Sequence, residues 1–164
     1  MPLAIRPATP ADVPLVLRLI EGLAEYERLR DQCVATEAAL HASLFGPRPD
    51  AEVVIAELDG EAAGFALFFH NYSTFLARRG LYLEDLFVWP QLRGRGVGRA
   101  LLVHLARLAV ERGCGRFEWA VLDWNAPAIG FYRALGAEPM DEWTTMRVSG
   151  AALATLAAQR ANAV

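Results

Sequence analysis

Lysine is missing from this chain of 164 residues, and all 16 of its basic residues are arginine. No lysine can therefore form a Schiff base, and none can grip phosphate in a Walker-type loop, which needs G-K-[ST] after its glycines. Cysteine is nearly missing as well. Cys33 and Cys114 lie far apart in sequence and read as two buried thiols rather than a disulfide framework. No Cys/His group has metal-ligand spacing, so no metal is expected, and His41, His70 and His104 are scattered in a way that suggests structural roles. Apolar runs long enough to cross a bilayer are lacking. The opening MPLAIRPATPAD also lacks a charged stretch followed by an apolar one. The missing apolar runs predict a cytoplasmic protein, and a length of 164 residues predicts a single domain over residues 1–164. The net charge of −3 and a pI near 5.6 argue against a nucleic-acid surface and leave room for a cationic ligand.

What is present reads as an alternating chain. Leu3 to Pro7 is extended. Thr9-Pro10-Ala11-Asp12 then supplies a cap, a proline at the first helical position and an acid three residues after the cap. Val13, Val16, Leu17, Ile20, Leu23 and Ala24 follow at helical spacing, to about Tyr26-Glu27. Thr36 caps a shorter helix through about Leu44. Val53–Leu58 and Ala62–His70 are strands joined at Asp59-Gly60, a strong hairpin signal. Asn71 to Gly80 reads as a loop, and Leu81 to Val88 as the next strand. A helix from about Gly96 to Arg112 ends at Gly113. A strand, Phe117 to Leu122, precedes a short helix, Ala126 to Leu135, capped by Asn125. Trp143 to Val148 reads as a last strand, and Ser149 opens an alanine-rich helix. The hairpin demands antiparallel pairing and the later β-α-β unit a parallel pair. The predicted fold class is therefore α/β (mixed α+β), with a mixed sheet and helices on both faces.

The chemistry gathers at Leu81 to Arg99, LYLEDLFVWPQLRGRGVGR. A glycine-rich turn at a helix start leaves backbone N–H groups unpaired where the helix dipole is positive, which makes an anion site. A dinucleotide fingerprint fits poorly, because residues 89–93 stand between strand and glycines. Arg93-Gly94-Arg95-Gly96-Val97-Gly98 matches R-x-x-G-x-G, the pyrophosphate loop of acyl-CoA binders. In the preceding strand, strict alternation puts Tyr82, Glu84, Leu86 and Val88 on one face and Leu81, Leu83, Asp85 and Phe87 on the other. A carboxylate then points to each face of a buried strand. That is costly unless a bulge or a cleft opens there.

The R-x-x-G-x-G turn is followed at strand-helix distance by Asn125-x-Pro127-Ala128-x-x-Phe131-Tyr132-x-x-x-Gly136-Ala137. With that pairing the chain resembles the GNAT superfamily of acetyl-CoA-dependent N-acetyltransferases over nearly its whole length. Ile5-Arg6-Pro7-Ala8-Thr9, Ala24-x-Tyr26-Glu27, Leu81-Tyr82-Leu83-Glu84-Asp85 and Trp124-Asn125-x-Pro127 are most similar to the diamine (spermidine/spermine) and thialysine branch. The resemblance implies a mostly antiparallel mixed sheet splayed at a central parallel strand pair. It implies acetyl-CoA as co-substrate, a small cationic amine as acceptor, and a homodimer. Residue by residue, it makes Tyr132 the general acid for the CoA thiolate and Glu84 a base acting through water. It gives the pantetheine edge to Leu86, Phe87 and Val88, and the pyrophosphate to Arg93, Gly94, Arg95, Gly96, Val97, Gly98 and Arg99. Asn125 and Ala128 would line the CoA side, and Tyr26, Glu27, Asp85, Glu142 and Trp143 the amine site. The chain departs from the polyamine enzymes at the tight Leu58–Glu61 turn and around Pro139 to Trp143. A non-catalytic acyl-CoA-binding module, and acetylation of a protein or peptide amine, stand as alternatives.

Overall fold

The computed structural model describes residues 2–160, and its contacts divide the chain into a unit over residues 1–122 and a smaller one over 123–164. In the larger unit, β1 (Leu3–Pro7), α1 (Val13–Tyr26), α2 (Glu37–Phe45), β2 (Glu52–Leu58), β3 (Glu61–Ser73), β4 (Arg78–Val88), α3 (Val97–Glu111) and β5 (Phe117–Trp119) follow in order. The strands form one sheet in the order β1-β2-β3-β4-β5, antiparallel throughout except for the β4–β5 pair, which is parallel. Among the described residues no helix is long and apolar enough to cross a membrane.

Local chemistry sets most of the boundaries. Thr9 N–H donates to the Asp12 carboxylate at 2.7 Å, closing a capping box before α1. Arg6 holds that carboxylate with two hydrogen bonds, at 2.8 and 3.0 Å, while its Nε donates to Glu57 at 2.7 Å. The Thr36 hydroxyl caps α2 by accepting from Ala39 N–H at 3.2 Å. Asp59 and Gly60 both have positive φ (55° and 82°), the backbone twist that a two-residue hairpin needs.

Helices cover both faces of the sheet. Val13, Val16, Leu19 and Leu23 of α1 and Leu40 and Leu44 of α2 pack with Val53, Ile55, Phe65 and Phe87. On the other face α3 buries Val97, Leu101, Leu102, Leu105 and Ala109, and its Gly98 backs onto Leu86 and Val88.

Four expectations change. Asn71 to Gly80 is not a loop: the β3–β4 ladder continues to Ser73↔Arg78. Backbone hydrogen bonds extend it past the last apolar pair, through polar side chains that carry no alternation signal. The strand predicted at Phe117 to Leu122 stops at Trp119. Pairing to β5 covers only Leu81↔Phe117 to Leu83↔Trp119, so β4 runs on to Val88 without it. Third, alternation along β4 breaks. Leu67 pairs with Asp85 and Phe68 with Leu83, which leaves Glu84 without a partner on β3. This bulge resets the faces. Cross-strand partners share a face, so Leu81 and Leu83 join Leu86 and Val88 on the α3 side, while Tyr82, Asp85 and Phe87 lie on the α1 side. The two acids do not point to opposite faces.

The fourth correction lies in the smaller unit, where α4 (Ala126–Ala134) and α5 (Gly150–Ala157) are the regular elements. Trp143 to Val148 is not a strand, and Trp143 and Met146 are 77% and 86% exposed. Strand propensity reflects fit to a pleated, half-buried surface, and these residues meet none among the described ones.

Phe65 is wholly buried beneath α1. Its replacement by alanine should lower the unfolding free energy by about 3–5 kcal/mol, read from urea denaturation.

Candidate active site

The turn between β4 and α3 is built by two glycines in the left-handed region, Gly94 (φ 76°) and Gly96 (φ 82°). Non-glycine residues adopt that conformation only at a cost. Gly96 is the N-cap of α3, and its carbonyl accepts from Ala100 N–H at 3.0 Å. The N–H groups of Val97, Gly98 and Arg99 precede the first intrahelical bond and carry the positive end of the helix dipole. Arg95 and Arg99 stand exposed beside them. A side chain at Gly94 or Gly96 would meet nothing within 4 Å, so the space over the turn is open. This donor set fits a pyrophosphate.

Just before the turn, Leu86, Phe87 and Val88 pair with β3 through Ala66, Phe65 and Gly64. Their other backbone edge lies beyond the end of the β5 ladder. Such an edge matches the amide groups of an extended pantetheine.

The bulge assembles the acids. Asp85 turns to the α1 side and its carboxyl is pushed up to about 7, first by burial and then by the charges of Glu84 and Glu27. Glu27, at the C-cap of α1, is likewise raised, by burial and by Glu84. Tyr82 is raised by burial and by Glu84 and Glu118. An acid at a helix C-terminus also faces the negative end of the dipole. The ion pairs of Arg6 with Asp12 and Glu57, of Arg30 with Glu21 and of Arg112 with Glu52 do not involve Glu27, Glu84 or Asp85. Glu84 raises both Glu27 and Asp85, and Glu27 raises Asp85, so the group carries a negative field that suits a positively charged ligand.

Aromatic residues flank this group. Phe87 and Trp89 pack edge to face at 5.3 Å. The Arg93 guanidinium lies 4.5 Å from the Tyr26 ring centre and 5.6 Å from that of Phe87, and its Nε donates to the Val88 carbonyl at 3.1 Å. Sequence reasoning missed Gly22. A Cβ there would come within 2.9 Å of Phe87 and Trp89, so glycine lets α1 approach β4. The available signal was a glycine inside an otherwise well-patterned helix.

The smaller unit holds the other predicted residues. Asn125 is buried and its side-chain oxygen accepts from Ala128 N–H at 3.4 Å, so both residues serve the start of α4. Tyr132 sits in the last turn of α4, half-buried, with its ring 5.6 Å from that of Phe131. Glu142 and Trp143 lie in the exposed segment between α4 and α5.

Residues 20–137 match the model of the acetyltransferase (GNAT) family. The chain is 40% identical to a thialysine N-epsilon-acetyltransferase of Bos taurus, an alignment covering 93% of this chain and 96% of the relative. It is 37% identical to an L-ornithine N5-acetyltransferase of Arabidopsis thaliana, with 91% and 85% covered. Among solved structures, an integron cassette protein from the mobile metagenome of V. cholerae superposes with a TM-score of 0.81 at 29% identity, covering 97% of this chain and 99% of the other.

Asp85 gives a test of the acid cluster. Between pH 4 and 7 the folded protein holds a proton on Asp85 that the unfolded chain has released. Stability therefore falls as pH rises through that window, and the full cost, roughly 2–4 kcal/mol, is present above it. Asp85→Asn should raise the melting temperature at pH 8 and leave it nearly unchanged at pH 4, by calorimetry at both values.

Proposed function

The chain belongs to the acetyltransferase (GNAT) family and is an acetyl-CoA-dependent N-acetyltransferase, and on that basis we propose that it acetylates a primary amine of a small cationic substrate. Lysine analogues, diamines and polyamines form the acceptor class. The observation that carries this class is the cluster of Glu27, Glu84 and Asp85, in which the charge of Glu84 raises Glu27 and the charges of Glu84 and Glu27 raise Asp85. Relatives named for ornithine and thialysine support it, since both compounds carry a side-chain amine.

Acetyl-CoA supplies a thioester open to direct attack by an unprotonated amine. The chain's residues do the rest. The pyrophosphate belongs to residues 93–99, chiefly to the N–H groups of Val97, Gly98 and Arg99 and the side chains of Arg95 and Arg99. The backbone of Leu86, Phe87 and Val88 holds the pantetheine, and Asn125 and Ala128 line the CoA side. Tyr26, Glu27, Asp85, Glu142 and Trp143 shape the amine site. An alkylammonium with a pKa near 10.4 gives up its proton at pH 7 at a cost of roughly 4–5 kcal/mol. Glu84 takes that proton through water, and Tyr132 returns one to the departing thiolate. No covalent enzyme intermediate is required. A second reading gives the base role to Asp85, because a carboxyl brought to about 7 is better matched to accepting a proton at neutral pH. The whole chain, residues 1–164, acts as one catalytic domain in a cytoplasmic homodimer; light scattering tests the dimer.

Tyr132→Phe and Glu84→Gln should each lower turnover by about 100-fold or more, while acetyl-CoA still binds in calorimetry. The panel for wild type is thialysine, ornithine, diamines, polyamines and peptides. Full turnover in both variants would remove their roles, and Asp85→Asn alone losing turnover would move the base to Asp85. Binding of CoA with no transfer to any amine would remove the enzyme reading.

A further inference from the structure

We propose that Arg93 is a positioning residue that links the pyrophosphate loop to the amine site through Tyr26, so that donor binding tightens amine binding. The inference rests on the assignment of the two sites given above and adds a coupling between them. Arg93 opens the R-x-x-G-x-G loop, yet its guanidinium is turned back toward α1. It lies over the Tyr26 ring at 4.5 Å and near Phe87 at 5.6 Å, with Nε bonded to the Val88 carbonyl at 3.1 Å. One side chain thus touches the loop's own strand, the pantetheine edge and the last residue of α1.

The helix end is built to receive it. Gly22 and Tyr26 are one turn apart and share a face of α1. Gly22 allows contact with Phe87 and Trp89, and Tyr26 meets Arg93 beside them. Glu27 follows directly, with its charge felt by Asp85. Holding Tyr26 therefore holds the end of α1 that carries an acid of the amine site. Between Arg93 and the start of α3 the loop turns at Gly94 and Gly96, the two left-handed glycines. An anion on the helix N-terminus fixes the loop, and with it the origin of the Arg93 side chain. The Val88 carbonyl keeps a second lone pair, so the Arg93 bond does not exclude a pantetheine amide. Because coupling is reciprocal, amine binding favours the donor by the same factor.

A guanidinium–aromatic contact at an exposed site corresponds to roughly a 2- to 5-fold change in affinity. The test measures the thialysine Kd by calorimetry with and without saturating CoA, which carries no acetyl group to transfer. Wild type, Arg93→Met, Tyr26→Leu and the double variant are compared, with ornithine as a second probe. In wild type, CoA should tighten amine binding roughly 2- to 5-fold. The ratio should fall to about one in each single variant and drop no further in the double, the non-additivity expected of one shared contact. Using the ratio removes any direct effect of Tyr26 on the amine. Arg93→Lys, which keeps the charge but loses the planar stack and Nε, stands in if the methionine variant does not fold. Coupling that survives in either single variant, or that is missing from wild type, overturns the inference while leaving amine acetylation intact. A wild-type protein that neither binds nor acetylates either amine overturns both.

Discussion

A buried strand tolerates a carboxylate only where the backbone gives it somewhere to go, and β4 meets that constraint at Glu84. A regular ladder there would carry one acid to each packed face, against α1 on one side and α3 on the other. The bulge opposite Leu67 and Phe68 takes Glu84 out of register. It keeps Leu81 and Leu83 before the break on the same α3 side as Leu86 and Val88 after it, and it delivers Asp85 to the α1 side. The desolvation that would have opposed folding is concentrated at one place, where Glu27 and Tyr82 share its field. The sheet's irregularity and the acid cluster are thus one feature.

The same strand leads into the proposed donor site. Beyond the bulge β4 continues past the last pair with β5, which leaves a backbone edge for an extended ligand. It then ends in a turn whose glycines permit the α3 N–H groups to face an anion. Bulge, edge and turn fall in that order along residues 84–99. The proposed acceptor and donor sites therefore lie side by side along one segment, and Arg93 reaches back across it to α1.

Much of this was legible because it rests on local chemistry. Thr9 with Asp12, Thr36, Asp59-Gly60, Asn125 and Gly113 announced element ends through hydrogen bonds or dihedral angles that depend only on near neighbours. The apolar spacing of α1 and α3 likewise identified the buried faces. Other parts needed distant partners. The polar ends of β3 and β4 are strands because each pairs with the other. Trp143 to Val148 has strand composition but no strand partner among the described residues.

By itself the sequence determined the family and the residue types at the candidate site: the R-x-x-G-x-G turn, the Glu84-Asp85 pair and the Asn125–Ala137 segment with its tyrosine. Those follow from short-range patterns, because a glycine's φ and a cap's hydrogen bond are fixed within a few residues. Tertiary structure alone decided which face each β4 side chain takes, since register is set by β3 and one extra residue inverts the alternation. It also decided that Asp85 holds its proton to about 7, because desolvation and the charge of Glu27 come from elements distant in sequence. And it turned Arg93, which opens the glycine loop, toward the aromatic ring at the end of α1.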